Sequence, residues 1–195
     1  MTPESTHTPA RPADLLPSRA HRRFLRVLAP LILTQEAEAY GSVDAVTLSA
    51  PLWRILEQHL ATAGEVRSGI LLGWQGGQTL CVTHLLPSGY PPQLQAHDSL
   101  ALDPGYVLGA VDAARQGNAR PLDWVGHWIM PADGQSPSQR WSLRQYEQAR
   151  QRGLVGVDRP LLVFGQGEAR PEVQAMLATD EGPTPRALPV TWSSS

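Results

Sequence analysis

The sequence predicts an α+β fold with an α/β-type core, a mixed central β-sheet flanked by helices in a single domain, on three observations. Apolar residues recur at helical spacing in 51–63, 104–117 and 138–152. Short apolar runs of strand length fill 66–74, 79–86, 121–130, 160–164 and 173–179. The two kinds alternate along the chain in the order helix, hairpin, helix, strand, helix, strand, hairpin.

Each element has its own signal. Residues 1–18 hold Pro3, Pro9, Pro12 and Pro17 among Thr, Ser and Ala, too little apolar mass to order, so a disordered tail is expected. An N-terminal extension, 19–42, follows. Its first half can form an amphipathic helix, with Phe24, Leu25 and Leu28 opposite Arg22, Arg23 and Arg26, and its apolar run Val27–Leu33 is broken by Pro30 and followed by Glu36 and Glu38. The domain proper is expected over 43–180. Pro51 suits a first helical position, Leu52, Ile55, Leu56 and Leu60 follow at helical spacing, and Gly64 is a stop. Gln75-Gly76-Gly77-Gln78 reads as the turn of a hairpin.

After a Pro/Gly-containing loop at 87–101, Asp103 and Pro104 open a helix with Val107, Leu108 and Val111 on one face, closed by Gly117. The contiguous apolar residues up to Met130 suggest a buried central strand. Ser138–Arg152 returns to helical spacing and ends at Gly153, and Pro160–Phe164 is a short buried strand. Val173–Thr179 and Ala187–Trp192, joined by a Gly182-Pro183 turn, are expected as a closing hairpin, so that 181–195 supplies one strand and a Ser-rich tail.

Composition narrows the function. The 195 residues carry a net charge of −2, and all 16 basic residues are arginine. Bulk neutralisation of nucleic-acid phosphates is therefore not expected. No apolar run reaches the roughly 20 residues that span a bilayer, the arginine-flanked run at 27–33 starts too deep for a secretory signal, and a cytoplasmic protein is expected. The absence of lysine has a compositional explanation in a GC-rich genome, and a chemical corollary: the folded surface offers no amine for an isopeptide bond. The lone Cys81 excludes an internal disulfide and a multi-cysteine zinc cage. His59 beside the first helix stripe reads as a packed residue.

Phosphate-binding loops, dinucleotide glycine fingerprints, nucleophile elbows and paired-histidine zinc motifs are all absent. What is present is an arrangement. Gly69-Ile70-Leu71-Leu72-Gly73 follows a helix; Asp103-Pro104-Gly105 opens another, which runs into Ala113-Ala114-Arg115-Gln116-Gly117; Val125-Gly126, Pro131 and Pro137-Ser138 come next. In order and spacing these resemble the JAB/MPN domain family, zinc isopeptidases that remove ubiquitin and its relatives, together with their non-catalytic siblings. The resemblance covers roughly 43–164.

Active members of that family hold zinc through His-x-His-Pro and a later aspartate, with a glutamate ahead of the first-strand glycine acting on the bound water. Such a zinc needs about three protein ligands and an open position to bring its water to a pKa of about 7. Carried onto this chain, the histidine positions hold Trp128 and Met130, the aspartate position Trp141 and the glutamate position Val66. Only Ser138, on the oxyanion side of the family's site, matches. Indole, thioether and branched aliphatic groups are poor zinc ligands.

The resemblance therefore implies a member that has lost its metal and filled the vacated pocket with Trp128, Met130 and Trp141. It would be a non-catalytic protein-binding or scaffolding domain with no cofactor. Trp128, Met130 and Trp141 are candidate contacts, and an MPN homologue or a component of a ubiquitin-like conjugation system is the candidate partner. One alternative is a zinc-dependent hydrolase with displaced ligands, drawing on His127, Asp133 and Glu65, with His84 nearby. Another is a phage or assembly structural protein, which the Pro-rich tail and the arginines at 19–26 would permit.

Overall fold

Eleven elements and one further short strand follow each other as β1 (Ala45–Leu48), α1 (Pro51–Ala61), β2 (Arg67–Gly76), β3 (Thr79–Pro87), α2 (Pro104–Gln116), β4 (Asp123–Met130), a 3-10 turn (Ala132–Gly134), α3 (Gln139–Gln151), β5 (Leu161–Gly165), β6 (Glu172–Thr179), β7 (Gly182–Leu188) and β8 (Val190–Trp192). The computed structural model describes residues 42–61, 64, 66–89, 98–118, 122–168, 170–180 and 182–193. The expected tail, the expected helix within 19–40 and Glu65 lie outside the described residues.

The helices begin where side chains can satisfy their free N–H groups. The Asp103 carboxylate accepts from the Tyr106 amide at 3.0 Å, with Pro104 behind it at a position that needs no donor. The Ser138 hydroxyl accepts from the Trp141 amide at 3.3 Å and so caps α3. Gly153, past the end of α3, has φ +70°, and Gly77 in the β2–β3 turn has φ +60°, conformations open to glycine at little cost.

The strands form one mixed sheet in the order β7-β6-β5-β4-β2-β3-β1-β8. β1 runs parallel to both β3 and β8, and β4 runs parallel to β5, while the other neighbours are antiparallel. β4 is central and almost wholly buried, as its apolar run predicts. The two end strands, β7 and β8, are separated in sequence by Pro189 alone. Laid flat at ~4.8 Å per strand, the edges of an eight-stranded sheet would stand roughly 34 Å apart. Two residues reach only about 7 Å, so the sheet must curl until its edges meet.

The seam is well bonded. The Val46 amide donates to Pro189 O at 3.0 Å and the Ser193 amide to Leu48 O at 2.8 Å. The Arg186 guanidinium holds the Asp44 carboxylate at 2.9 Å and also donates to the Val43 carbonyl. The expected closing hairpin is thus corrected in its second half: Gly182 starts the strand instead of turning it. Pro183 and Pro185, which argue against a strand in sequence, are tolerated because this strand lies at a sheet end.

Curling divides the apolar residues into two clusters. The inner one draws on every strand from β1 to β7, with Val190 and Trp192 of β8 packed against it, and α1 plugs it with Leu52 and Leu56. The outer one lies on the other face of the central strands, under Val107 and Val111 of α2 and Tyr146 and Ala149 of α3. None of the described helices is long and apolar enough to cross a membrane.

The two glycines of the Gly-x-Leu-x-Gly-like run have a packing reason. A Cβ at Gly69 would lie 1.8 Å from Leu86 O and 2.8 Å from the Trp128 ring nitrogen, and one at Gly73 would lie 1.9 Å from Cys81 O. Gly69→Ala should therefore cost about 3 kcal/mol, the upper range for overpacking. Gly76→Ala, with nothing within 4 Å of the added carbon, should stay within about 1 kcal/mol of the parent. Urea unfolding of both variants measures the contrast, and equal midpoints would remove the close-approach explanation.

Candidate functional site

The positions marked by the resemblance come from three places: the start of β2, the end of β4 and the start of α3. Alternation along β4 sends Trp128 and Met130 to the inner cluster, where they are 0% and 1% exposed. The Trp128 ring N–H donates to Leu86 O at 3.1 Å, so this indole is buried without an orphaned donor. It lies beside the His59 imidazole, ring centroids 5.6 Å apart and the planes tilted by 43°. Burial and the positive charge of Arg67, whose guanidinium donates to the His59 carbonyl, both hold His59 below the usual histidine pKa.

Trp141 goes elsewhere. It is half-buried against the outer cluster, as is Val66. The expected pocket filled jointly by Trp128, Met130 and Trp141 is corrected accordingly: the sheet separates the first two from the third, because α3 packs outside the curl while Trp128 and Met130 point into it. Trp128 and Met130 likewise present no surface to a partner, which corrects their assignment as contacts. Ser138, exposed, serves as the cap of α3.

The displaced-ligand residues fare differently. Glu65 and the side chain of Asp133 lie outside the described residues. His127 sits on β4 directly between Ile70 and Leu161, both of the outer cluster, and is 0% exposed. Burial and the nearby positive charge of Arg152 lower its pKa to about 3, so the imidazole is neutral at physiological pH. His84, held lower by burial, shares a 2.9 Å hydrogen bond with the Thr83 hydroxyl, one position away on β3. Among the described residues no group of three His, Cys, Asp or Glu is placed to hold a metal.

Two features escape a hydrophobic-pattern reading. The buried stripe of α3 is Ser142, Gln145, Tyr146 and Ala149, spaced as a core-facing stripe should be but largely polar. Both His127 ring nitrogens, on β4, and Ser142 Oγ, Gln145 Oε1 and Tyr146 OH of the stripe itself are buried without a hydrogen-bond partner among the described residues. The other feature lies at one end of the curl. There Trp53 meets Trp192 edge-on, ring centroids 5.3 Å apart, and the Arg170 guanidinium lies 5.7 Å over the Trp53 ring. Trp53 and Arg170 also line a hollow of about 280 Å³ with Glu57 and Glu168. Tryptophans 139 residues apart in the chain gave no local pattern by which to find the pair.

The buried His127 makes stability depend on pH. In the unfolded chain its ring takes a proton near pH 6.5, whereas in the fold it does so only near pH 3. Between these values the unfolded state binds more protons, so the His127 contribution is fully present above about pH 6.5 and is withdrawn as pH falls toward 3. The slope approaches about 1.4 kcal/mol per pH unit. Urea unfolding of the parent and His127→Leu at pH 4 to 7 should show a flatter acid limb for the variant, and parallel limbs would contradict the assignment.

No family model matches the chain, and no curated protein does. Among solved structures it is similar to the solution structure of protein DSY2949 from Desulfitobacterium hafniense, at 15% identity and a TM-score of 0.49, over 77% of this chain and 94% of that one.

Proposed function

We propose that the chain is a non-catalytic domain of JAB/MPN type that binds or scaffolds another protein. The observation that carries this reading is the packing of Trp128 and Met130. The two positions that would supply zinc imidazoles are apolar, interior and closed, and the Trp128 ring nitrogen is committed to Leu86 O at 3.1 Å. The order of elements on which the resemblance rests supports it too: α1, the glycine-bounded β2, α2 opened by Asp103-Pro104, β4 followed by Pro131, and α3 capped by Ser138.

With Trp128 and Met130 interior, the partner surface is the cluster of Trp53, Trp192 and Arg170. These are residue types that dominate binding energy at protein interfaces; here Trp53 and Arg170 line a hollow, and Trp192, half-buried against the inner cluster, meets Trp53 edge-on. The partner classes are an MPN homologue or a ubiquitin-like modifier with its conjugation machinery. A lysine-free chain could stay beside such machinery without being modified on a side chain.

Metal analysis and binding of the purified full chain test the reading together. The expected outcome is no stoichiometric zinc, and titration-detectable binding to the host's MPN homologue or ubiquitin-like protein that weakens about tenfold or more, roughly 1.4 kcal/mol, in Trp53→Ala. Stoichiometric zinc that disappears in His127→Ala would replace this reading with the displaced-ligand hydrolase. Binding by neither protein would also overturn it.

A further inference from the structure

The hollow of about 280 Å³ at Trp53 is built from two parts of the chain. Trp53, Glu57 and Leu60 stand four and then three positions apart on α1 and so share one face of that helix. Glu168, Arg170 and Pro171 come from the connection between β5 and β6. The two parts are tied to each other. The Gln166 amide donates to Gly134 O at 2.7 Å, and Gly134 packs so closely on α1 that a Cβ there would lie 2.9 Å from Leu60 O. At the start of α1 the Ala50 amide donates to the Ser193 hydroxyl at 3.2 Å, next to Trp192, whose ring meets Trp53 edge-on. The hollow is therefore formed before anything enters it.

Its lining favours a cation. Two carboxylates, Glu57 and Glu168, stand against one guanidinium, that of Arg170. Both glutamates are exposed, and neither has an ion-pair partner among the described residues. Arg170 shows what the Trp53 ring accepts: its guanidinium lies 5.7 Å over the ring, close to the ~6 Å limit of a cation–π contact. The volume falls just under the roughly 300–1,000 Å³ of sites that bury a whole drug-sized molecule, so it suits one long side chain. Arginine fits this lining better than lysine. Its planar guanidinium stacks on an indole and carries five N–H donors in a fork for the two carboxylates, whereas an ammonium is a point charge. Leu60 and Pro171 offer apolar surface to the methylenes of its stem.

We propose that the hollow receives an arginine side chain of the protein partner, stacked on Trp53 between Glu57 and Glu168 and displacing Arg170 from the ring. The inference rests on the reading of the Trp53 surface as the partner site and adds the chemistry that the partner must present there. Arg170 is then a placeholder. It covers the indole in the free chain and competes with the incoming guanidinium for the same ring.

NMR titration of the full chain with Nα-acetylarginine methylamide, at constant ionic strength, tests it through the tryptophan indole N–H signals, with Trp53→Phe to assign the Trp53 signal. The Trp53 and Trp192 signals should shift saturably, with a dissociation constant on the order of 10 mM for so small a probe. The buried Trp124 and Trp128 signals should stay in place. The neutral citrulline analogue should bind about tenfold more weakly, as should the arginine probe when Glu57→Gln and Glu168→Gln are combined. Arg170→Ala should tighten the arginine probe about threefold by removing the competing cation, which the loss of an ordinary surface contact would not do. Equal shifts with the arginine and citrulline probes would overturn the proposal. So would shifts with Nα-acetylglutamate methylamide that vanish in Arg170→Ala, which would give the hollow to an anion. Partner binding lost in Trp53→Ala but kept in the double glutamate variant would leave the partner surface standing and overturn the arginine assignment alone.

Discussion

A single stretch of chain, 182–192, serves both margins of the sheet, and the inner core depends on it. Up to Leu188 the stretch pairs with β6; after Pro189 it pairs with β1. A proline suits the switch, because one residue there needs no donor toward either neighbour while its carbonyl still accepts from Val46. Without this shared strand the margins would part, Val46, Leu48 and Leu188 would face water, and α1 would have no enclosed surface to cover. The Arg186 contacts at Val43 and Asp44 reinforce the same junction from outside the backbone ladder. That ion pair is largely exposed and contributes at most about 1 kcal/mol; the backbone bonds and the apolar enclosure matter more.

Closure also determines what the central strands can offer. β4 is covered on both faces, so each of its side chains must suit one of two interiors. Trp128 and Met130 enter the apolar one. His127 and Ile129 enter the other, where α3 lays a polar stripe over them. An imidazole with no hydrogen-bond partner among the described residues in such a place costs stability of order 1–3 kcal/mol per unpaired group. The outer cluster is therefore the less optimised of the two.

Much of the fold was legible in the sequence, for identifiable reasons. Pro51, Asp103-Pro104 and Ser138 mark helix starts because their chemistry satisfies helix ends locally, and the apolar run into Met130 reads as central because only a strand covered on both faces tolerates it. β7 was hidden because Pro183 and Pro185 speak against a strand everywhere except at a sheet margin, and being at a margin is a property of the whole fold. Trp141 was grouped with Trp128 and Met130 because spacing along a chain does not reveal which side of a sheet a residue reaches. The Trp53–Trp192 pair joins a helix near one end of the described chain to a strand near the other, a juxtaposition created only by the seam.

The seam also sets a clock on synthesis. Thr47 and Thr191, which share a 3.2 Å hydrogen bond across it, are 144 positions apart. At ~5–20 residues per second a ribosome needs roughly 7–30 s to travel between them. During that interval β1 is outside the ribosome with its outer edge unpaired and the inner apolar surface unsealed. A nascent chain of this design stays vulnerable to chaperone capture or to a neighbouring nascent chain until β8 emerges, and it completes its core late, after the other described pairings are available.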